Sequence, residues 1–170
     1  MRTFLKSLIL IVLFSFSISA QQPTLRDSLL DHMTGSWLLQ GKIARQDIVH
    51  DIDVNWVLGH QYVLIKETSH EKNADGQPSY EANVYVGWDQ ASSEYVCVWL
   101  DVYGGISSQS IGRSKPNGDE ILFIFRDSSN TDNFHTKFIY NKNGDNWQWI
   151  MHNVDKGKLL PFADVKLTRK

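Results

Sequence analysis

Hydrophobic and polar residues alternate along most of the chain, which is typical of β-strands with one buried face. Segment 48–56 shows the pattern clearly, because Ile48, Ile52, Val54 and Trp56 share one face while acidic and amide side chains occupy the other. Successive side chains of a strand point to opposite faces. The segment therefore predicts a strand with an apolar side and a solvated side.

Short clusters of Gly, Asn, Asp, Ser and Pro separate such segments and predict tight turns. They lie at 73–76, 89–93, 115–119, 127–130, 142–145 and 155–157. The segments between them predict ten strands, near 35–45, 47–57, 60–70, 79–88, 93–101, 106–114, 119–126, 133–141, 145–153 and 159–169. Strands joined in chain order form a meander, which hides its edges most simply by closing. We predict an all-β, antiparallel up-and-down barrel of about ten strands.

A helical spacing precedes the first strand. Leu25, Leu29 and Leu30 recur at the helical period behind Thr24, whose hydroxyl is suited to an N-cap. The pattern predicts one short helix over 24–33, which we expect to plug one end of the barrel.

The first 20 residues have the pattern of a secretory signal peptide. Basic residues at 2 and 6 precede an apolar run over 8–16 and small residues that end at Ala20. A membrane-spanning helix needs roughly 20 apolar residues, so the alternative of a retained anchor is disfavoured. We predict cleavage after Ala20, export to the periplasm or the medium, and one domain over 21–170 that is not inserted into the membrane.

Charge and composition restrict the classes of function. Of 17 basic residues, removal of Arg2 and Lys6 leaves 15 against 19 acidic ones, so the predicted mature chain carries a net charge of −4. A protein that binds nucleic acid through phosphate neutralisation is normally basic, so that class is excluded. With 42% hydrophobic and 21% charged residues, the chain has the composition of a folded globular protein.

Cys97 is the only cysteine, so no intramolecular disulfide can form. It lies in the apolar, strand-like run from Tyr95 to Trp99. The two interpretations are an inert buried thiol and a reactive nucleophile. The first is favoured because no histidine or basic residue adjoins the cysteine in sequence.

Gly35-Ser-Trp37, placed between the predicted helix and the first strand, resembles the Gly-x-Trp signature of lipocalins and the wider calycin barrels. In that group a basic residue of the last strand packs on the tryptophan. The resemblance implies that Arg169 does so in this chain. Such a contact of a cation with an indole face is physically favourable.

Nearly the whole predicted mature chain is similar to the bacterial family of secreted lipocalin-like domains designated DUF1579. The motifs that carry the likeness are Gly35-Ser-Trp37, Leu58-Gly-His-Gln-Tyr62, Gly87-Trp-Asp89, Tyr95-Val-Cys-Val-Trp-Leu-Asp101 and Leu167-Thr-Arg-Lys170. His60 and Gln61 replace the Gly and Arg usual in the second motif. The resemblance implies a lipocalin-like barrel, whereas the function of the family is open.

In a small closed barrel one face of each strand points into the lumen, which is either filled or holds a small ligand. Every second residue of a strand lies on the same face, and we call membership of the apolar face its parity. Parity predicts inward-facing residues on five strands: Trp37, Leu39 and Ile43; His50, Ile52, Val54 and Trp56; Tyr95, Trp99 and Asp101; Phe134, Phe138 and Tyr140; Trp147, Trp149 and Met151. The ligand-binding candidates among them are His50, Trp56, Tyr95, Trp99, Asp101 and Trp149. His50 and Asp101 are ionisable groups on apolar faces, for which ordinary hydrogen bonding within the protein is the simpler interpretation.

The sequence contains no complete match to the metal-binding and catalytic motifs compared below. Asp51-x-Asp53-x-Asn55 begins like a calcium-binding EF-hand loop, but Trp56 replaces its glycine and Tyr62 its bidentate glutamate. No histidine cluster has metal-ligand spacing, and no motif places a nucleophile beside a base. We therefore assign no metal ligand and no catalytic residue.

Some lipocalin-like bacterial barrels bind haem through a histidine, which makes haem the alternative to a barrel without a cofactor. The chain lacks the Gly-rich extended opening of those proteins, since Leu38-Leu-Gln-Gly41 follows Trp37. His135 and His152 have the parity of solvent-facing positions. We expect no cofactor.

Three functions fit these patterns. The leading one is binding of a small, mostly apolar molecule in the lumen, outside the cytoplasm, with aromatic side chains providing most of the contact. The second is an interaction or structural module with a filled lumen. The third is a small hydrolase or isomerase that uses His50 and Asp101, a pair that no spacing rule brings together.

Overall fold

The computed structural model describes residues 27–105 and 108–170, over which ten antiparallel strands close into one barrel. The strands are β1 (Gly35–Ile43), β2 (Gln46–Val57), β3 (Tyr62–Ser69), β4 (Glu81–Asp89), β5 (Glu94–Asp101), β6 (Ile111–Ser114), β7 (Glu120–Arg126), β8 (Asp132–Asn141), β9 (Asn146–Asp155) and β10 (Lys158–Arg169). Each strand pairs with its neighbours in chain order, and β10 returns to pair with β1. The predicted all-β, up-and-down barrel of ten strands is confirmed.

The strand β6 is shorter than predicted. The pattern gave a strand over 106–114, whereas β6 covers only Ile111–Ser114 and follows one 3-10 turn at Ser108–Ser110. Ser108–Ser110 has no alternating apolar side chains to bury, and it forms the 3-10 turn instead of extending β6. The predicted signal peptide over 1–20 lies outside the described residues.

The N-terminal helix begins later than its spacing suggests. Helix α1 spans Ser28–Met33, and Asp27 is its N-cap, in an extended conformation with φ of −137°. The Asp27 carboxylate accepts hydrogen bonds from the backbone N–H groups of Leu29 and Leu30. The helix predicted from residue 24 is therefore corrected to a single turn and a half with an aspartate cap, and Thr24 lies outside the described residues.

Helix α1 closes one end of the barrel, as expected. Its apolar face is buried in the lumen through Leu29, Leu30 and Met33. The fully buried Trp37 indole donates a hydrogen bond to the Met33 carbonyl at 2.8 Å. The inward side chains of the neighbouring strands fill this half of the lumen, which we call the closed end. Of the described residues, no helix has the length and apolarity that a bilayer crossing requires.

Arg169 joins the last strand to α1 and to Trp37. The centre of its guanidinium lies 4.0 Å from the centre of the Trp37 ring. The same group donates to the Thr34 carbonyl at 2.7 Å and to the His32 carbonyl at 3.1 Å, so it satisfies carbonyls at the C-terminal end of α1. It also forms an ion pair with Asp145 at 2.7 Å.

The backbone conformation and the packing of Arg169 explain why glycine occupies the first position of the Gly-x-Trp motif. Gly35 has a φ of +122°, and a Cβ at this position would lie 2.5 Å from the Arg169 guanidinium. Any other residue would strain the backbone and displace the guanidinium from Trp37. Gly35, Trp37 and Arg169 therefore pack together as one unit.

Candidate ligand-binding cavity

A cavity of about 920 Å³ occupies the end of the barrel opposite α1. It lies where β1, β3, β5, β7 and β9 end and where β2, β4, β8 and β10 begin. The loops that follow β3 and β5 contribute its rim, including Tyr80, Tyr103 and the Gly104-Gly105 pair. We call this half of the barrel the open end.

One wall of the cavity is aromatic. The rings of Trp99, Phe125, Phe134 and Phe162 follow one another at centroid separations of 6.4, 6.0 and 5.9 Å, each pair in edge-to-face geometry. These side chains come from β5, β7, β8 and β10. Edge-to-face pairs are favourable and hold rings in fixed orientations. The arrangement, which we call the aromatic wall, is a continuous apolar surface on one side of the cavity.

The facing polar wall is built on His50 and Glu67. His50 Nδ1 lies 2.6 Å from Glu67 Oε1, and the two side chains are only 7% and 2% exposed. An ionised carboxylate can only accept, so the imidazole donates through Nδ1. A neutral His50 in this tautomer presents Nε2 as an acceptor, 3.7 Å from Glu71 Oε2 and beyond hydrogen-bonding distance.

Tyr80 connects the two walls. Its hydroxyl accepts a hydrogen bond from Trp99 Nε1 at 3.2 Å, and its ring is stacked 5.9 Å from the His50 ring. Burial, and after it the negative charge of Glu67, raises the pKa of Tyr80 well above the ordinary value of a phenol. The hydroxyl therefore stays protonated at physiological pH and is available as a donor.

Three of the six ligand-binding candidates from the sequence line the cavity: His50, Trp99 and Asp101. Trp149 lies behind the aromatic wall, with its ring 5.7 Å from that of Trp99 and its Nε1 donating to Thr136 at 2.5 Å. Its side chain is fully buried, so it supports the Trp99 ring from behind.

Trp56 and Tyr95 face inward at the closed end, away from the cavity. Trp56 Nε1 donates to the Asp31 carboxylate at 2.8 Å, and the Tyr95 hydroxyl donates to that of Asp27, so both side chains hold α1. Parity predicts the face of a residue correctly in these strands. It contains no information about which end of the barrel that residue occupies.

The structure does not pair His50 with Asp101 through a hydrogen bond, as the hydrolase or isomerase hypothesis required. His50 is bonded to Glu67 on the adjacent strand, and Asp101 instead accepts a hydrogen bond from the Tyr103 backbone N–H at 2.9 Å. Sequence reasoning missed Glu67 because no inward face was assigned to β3. The alternation of Val63, Ile65 and Glu67 is the signal that would have found it, since all three are buried.

Cys97 is buried and lies in the core of the barrel. Burial raises the pKa of its thiol far above the ordinary value, which keeps the sulfur protonated and unreactive. We expect a disulfide reagent at mildly alkaline pH to leave Cys97 unmodified in the folded protein and to modify it fully in denaturant. Rapid labelling of the folded protein, followed by absorbance, would contradict the assignment of an inert thiol.

Within residues 27–105 and 108–170, no group of three or more His, Cys, Asp or Glu side chains is placed to hold a metal ion. Comparison of the sequence with protein-family models and with curated proteins finds no match. The similarity to the DUF1579 domains therefore stays a prediction from the motifs, and arguments about function depend on the geometry of the cavity.

Proposed function

We propose that this protein binds a small molecule in the open end of its barrel, with an apolar body against the aromatic wall and a hydrogen-bonding group against His50 and Glu67. The observation that carries the proposal is a preformed cavity of about 920 Å³ with two chemically different walls. Pockets that bury drug-sized ligands commonly measure about 300–1,000 Å³ and combine apolar area with a few polar groups.

The division of the lumen supports binding over a purely structural role. Side chains and α1 fill the closed end, whereas Trp99, Phe134 and Phe162 remain only partly buried at the open end. Partly buried aromatic rings beside a cavity gain contact area when an apolar molecule enters. The barrel is thus filled by side chains at one end and contains a cavity at the other.

The proposed site of action is outside the cytoplasm. The predicted signal peptide over 1–20 and the likeness to secreted lipocalin-like domains both support export. A soluble carrier or receptor of small molecules in the periplasm or the medium is the role that fits the barrel and the predicted export together.

Removal of the Trp99 ring tests the proposal. We expect naphthylmethanol, a neutral aromatic probe, to bind the unmodified protein, and Trp99→Ala to weaken binding about tenfold or more, because loss of an aromatic anchor costs 1.4 kcal/mol or more. Trp99→Phe keeps a ring in the wall and should weaken binding less. Titration calorimetry measures the three dissociation constants.

Leu122→Ala is the matched control, because Leu122 is an exposed apolar residue of β7 on the outer face of the barrel. It should bind the probe as the unmodified protein does. Equal affinity in Trp99→Ala and Leu122→Ala would show that the probe binds elsewhere. Circular dichroism confirms that each variant is folded.

A further inference from the structure

We infer that the natural ligand is an organic cation, a protonated amine or an amidine-type group attached to an apolar or aromatic body. This inference rests on the proposed function and adds the charge of the ligand to it. It depends on the distribution of carboxylates around the cavity, on two cavity-lining residues with a polar atom that receives no donor from the described residues, and on the rings beside them.

The cavity is lined by carboxylates without matching cations. Asp47, Glu67, Glu71 and Asp101 are among the described lining residues, which include no lysine or arginine. Asp47 forms an ion pair with Lys42 at the outer rim, at 2.7 Å. The other three have no lysine or arginine partner within the part of the chain that the structure describes. Ionised, they give the cavity a negative potential that no lysine or arginine among the described lining residues offsets.

Two of the carboxylates are brought to the same level by the strand register. Glu67 on β3 pairs with Ala82 on β4, and Ala82 pairs with Asp101 on β5. Adjacent strands are about 4.8 Å apart, so the backbones that carry the two acids are roughly 10 Å apart. Because Ala82 has only a methyl group, the side chain of the intervening strand does not fill the space between them.

Two buried residues that line the cavity, Glu67 and His50, each have a polar atom that receives no donor from the described residues. Glu67 is 98% buried by side-chain area, yet among the described residues its only hydrogen bond is the one that Oε1 accepts from His50. Within residues 27–105 and 108–170, no donor lies on Glu67 Oε2 or on Nε2 of a neutral His50, and both residues line the cavity. Leaving such groups unsatisfied is costly, and more so when they are charged. A ligand that brings several N–H donors and a positive charge satisfies both.

The surrounding rings favour the same class of ligand. Tyr80 and Tyr103 lie 6.1 Å apart at the rim, and Trp99 donates to the Tyr80 hydroxyl. Faces of aromatic rings attract cations within about 6 Å of the ring centre. The carboxylates supply negative charge and the aromatic rings supply faces that attract a cation. The same carboxylates would repel a fatty acid or another anion.

The test uses three probes that share one aromatic body and differ in charge: naphthylmethylamine, naphthylmethanol and naphthoate. At neutral pH they are cationic, neutral and anionic. We expect the amine to bind at least tenfold more tightly than the alcohol, and the acid at least tenfold more weakly. Raising the salt concentration should weaken binding of the amine and leave that of the alcohol nearly unchanged.

Two isosteric variants locate the effect. Asp101→Asn and Glu67→Gln each remove one negative charge from the cavity and should weaken the amine threefold to tenfold while changing the alcohol by less than twofold. Asp53→Asn removes a charge from an exposed position on the outer face of β2 and is the control, for which no change is expected. Asp101→Asn leaves the His50–Glu67 pair intact, so it remains informative if Glu67→Gln proves unstable.

The outcomes separate the two proposals. Equal affinity for the amine and the alcohol, or tightest binding of the acid, would overturn the inference of a cationic ligand and leave the proposed binding function in place. Failure of all three probes to bind would overturn both. Preference for the amine that persists in Asp101→Asn and Glu67→Gln alike would assign the selectivity to another part of the surface and would also contradict the inference.

Discussion

Replacing Gly41 with alanine is expected to lower the free energy of unfolding by about 2–6 kcal/mol, enough to unfold a barrel of ordinary stability at moderate temperature. Gly41 lies in the second half of β1, where it pairs with Val165 of β10 at the junction that closes the barrel. Its φ is +149°, which L-residues with a side chain rarely adopt.

The backbone of β10 leaves no room for a side chain at this position. A Cβ on Gly41 would lie 2.5 Å from the Asp164 carbonyl oxygen and 2.8 Å from the Val165 Cα. Both atoms belong to the main chain of the partner strand, so a rotamer change cannot relieve the clash. The substitution would force β1 and β10 apart at the point where the sheet closes.

Chemical denaturation measures the effect, with Gly59→Ala as the control. Gly59 also has a positive φ, of +67°, but no atom lies within 4 Å of its would-be Cβ. We expect that variant to lose about 1 kcal/mol from backbone strain alone. Equal losses in the two variants would mean that close packing of β1 on β10 has no special role.

Truncation of Arg169 to alanine is expected to cost about 1–3 kcal/mol of stability. The estimate combines the cation–π contact with Trp37 and the hydrogen bonds to the carbonyls of Thr34 and His32. We discount the ion pair with Asp145, because the Arg169 side chain is 37% exposed and solvent weakens such pairs.

Thermal unfolding of Arg169→Ala, Arg169→Lys and Lys166→Ala separates these contributions. Lysine keeps the charge but lacks the planar group that bonds two carbonyls while lying on an indole, so it should recover only part of the loss. Lys166, on the outer face of the same strand, should be replaceable at little cost. If Arg169→Ala and Lys166→Ala unfolded at the same temperature, the predicted contribution of the Arg169 contacts to stability would be wrong.

Much of the barrel was predictable because alternation and turn residues are local properties. The strand over Gln46–Val57 has its apolar face at Ile52 and Val54, as the pattern required, and the turn after Arg126 is fixed by the Asp127 carboxylate, which accepts from the N–H groups of Ser129 and Thr131. Such information is contained in a few consecutive residues.

The site was only partly predictable because it depends on how strands align with one another. His50 and Glu67 are 17 positions apart, and only the pairing of β2 with β3 makes them partners. Parity placed Trp56 and Trp99 equally well on the inner face, yet one packs on α1 and the other lines the cavity. Tyr80 lies at the start of the predicted strand over 79–88, for which no inward face was predicted, and in the structure it immediately precedes β4. Register and height within the barrel are thus the missing information.

The seam between β1 and β10 divides the cavity as well as the sheet. Phe162 belongs to β10 on one side of it, while His50 belongs to β2, beyond β1, on the other. All other strand pairs join neighbours in the chain, whereas this one joins the two extremities of the sheet and therefore has the largest single loop-closure cost. A molecule that contacts both Phe162 and His50 would connect the two sides of this junction. Under the proposed function, binding in the cavity and pairing of β1 with β10 would therefore be thermodynamically linked, so that each favours the other.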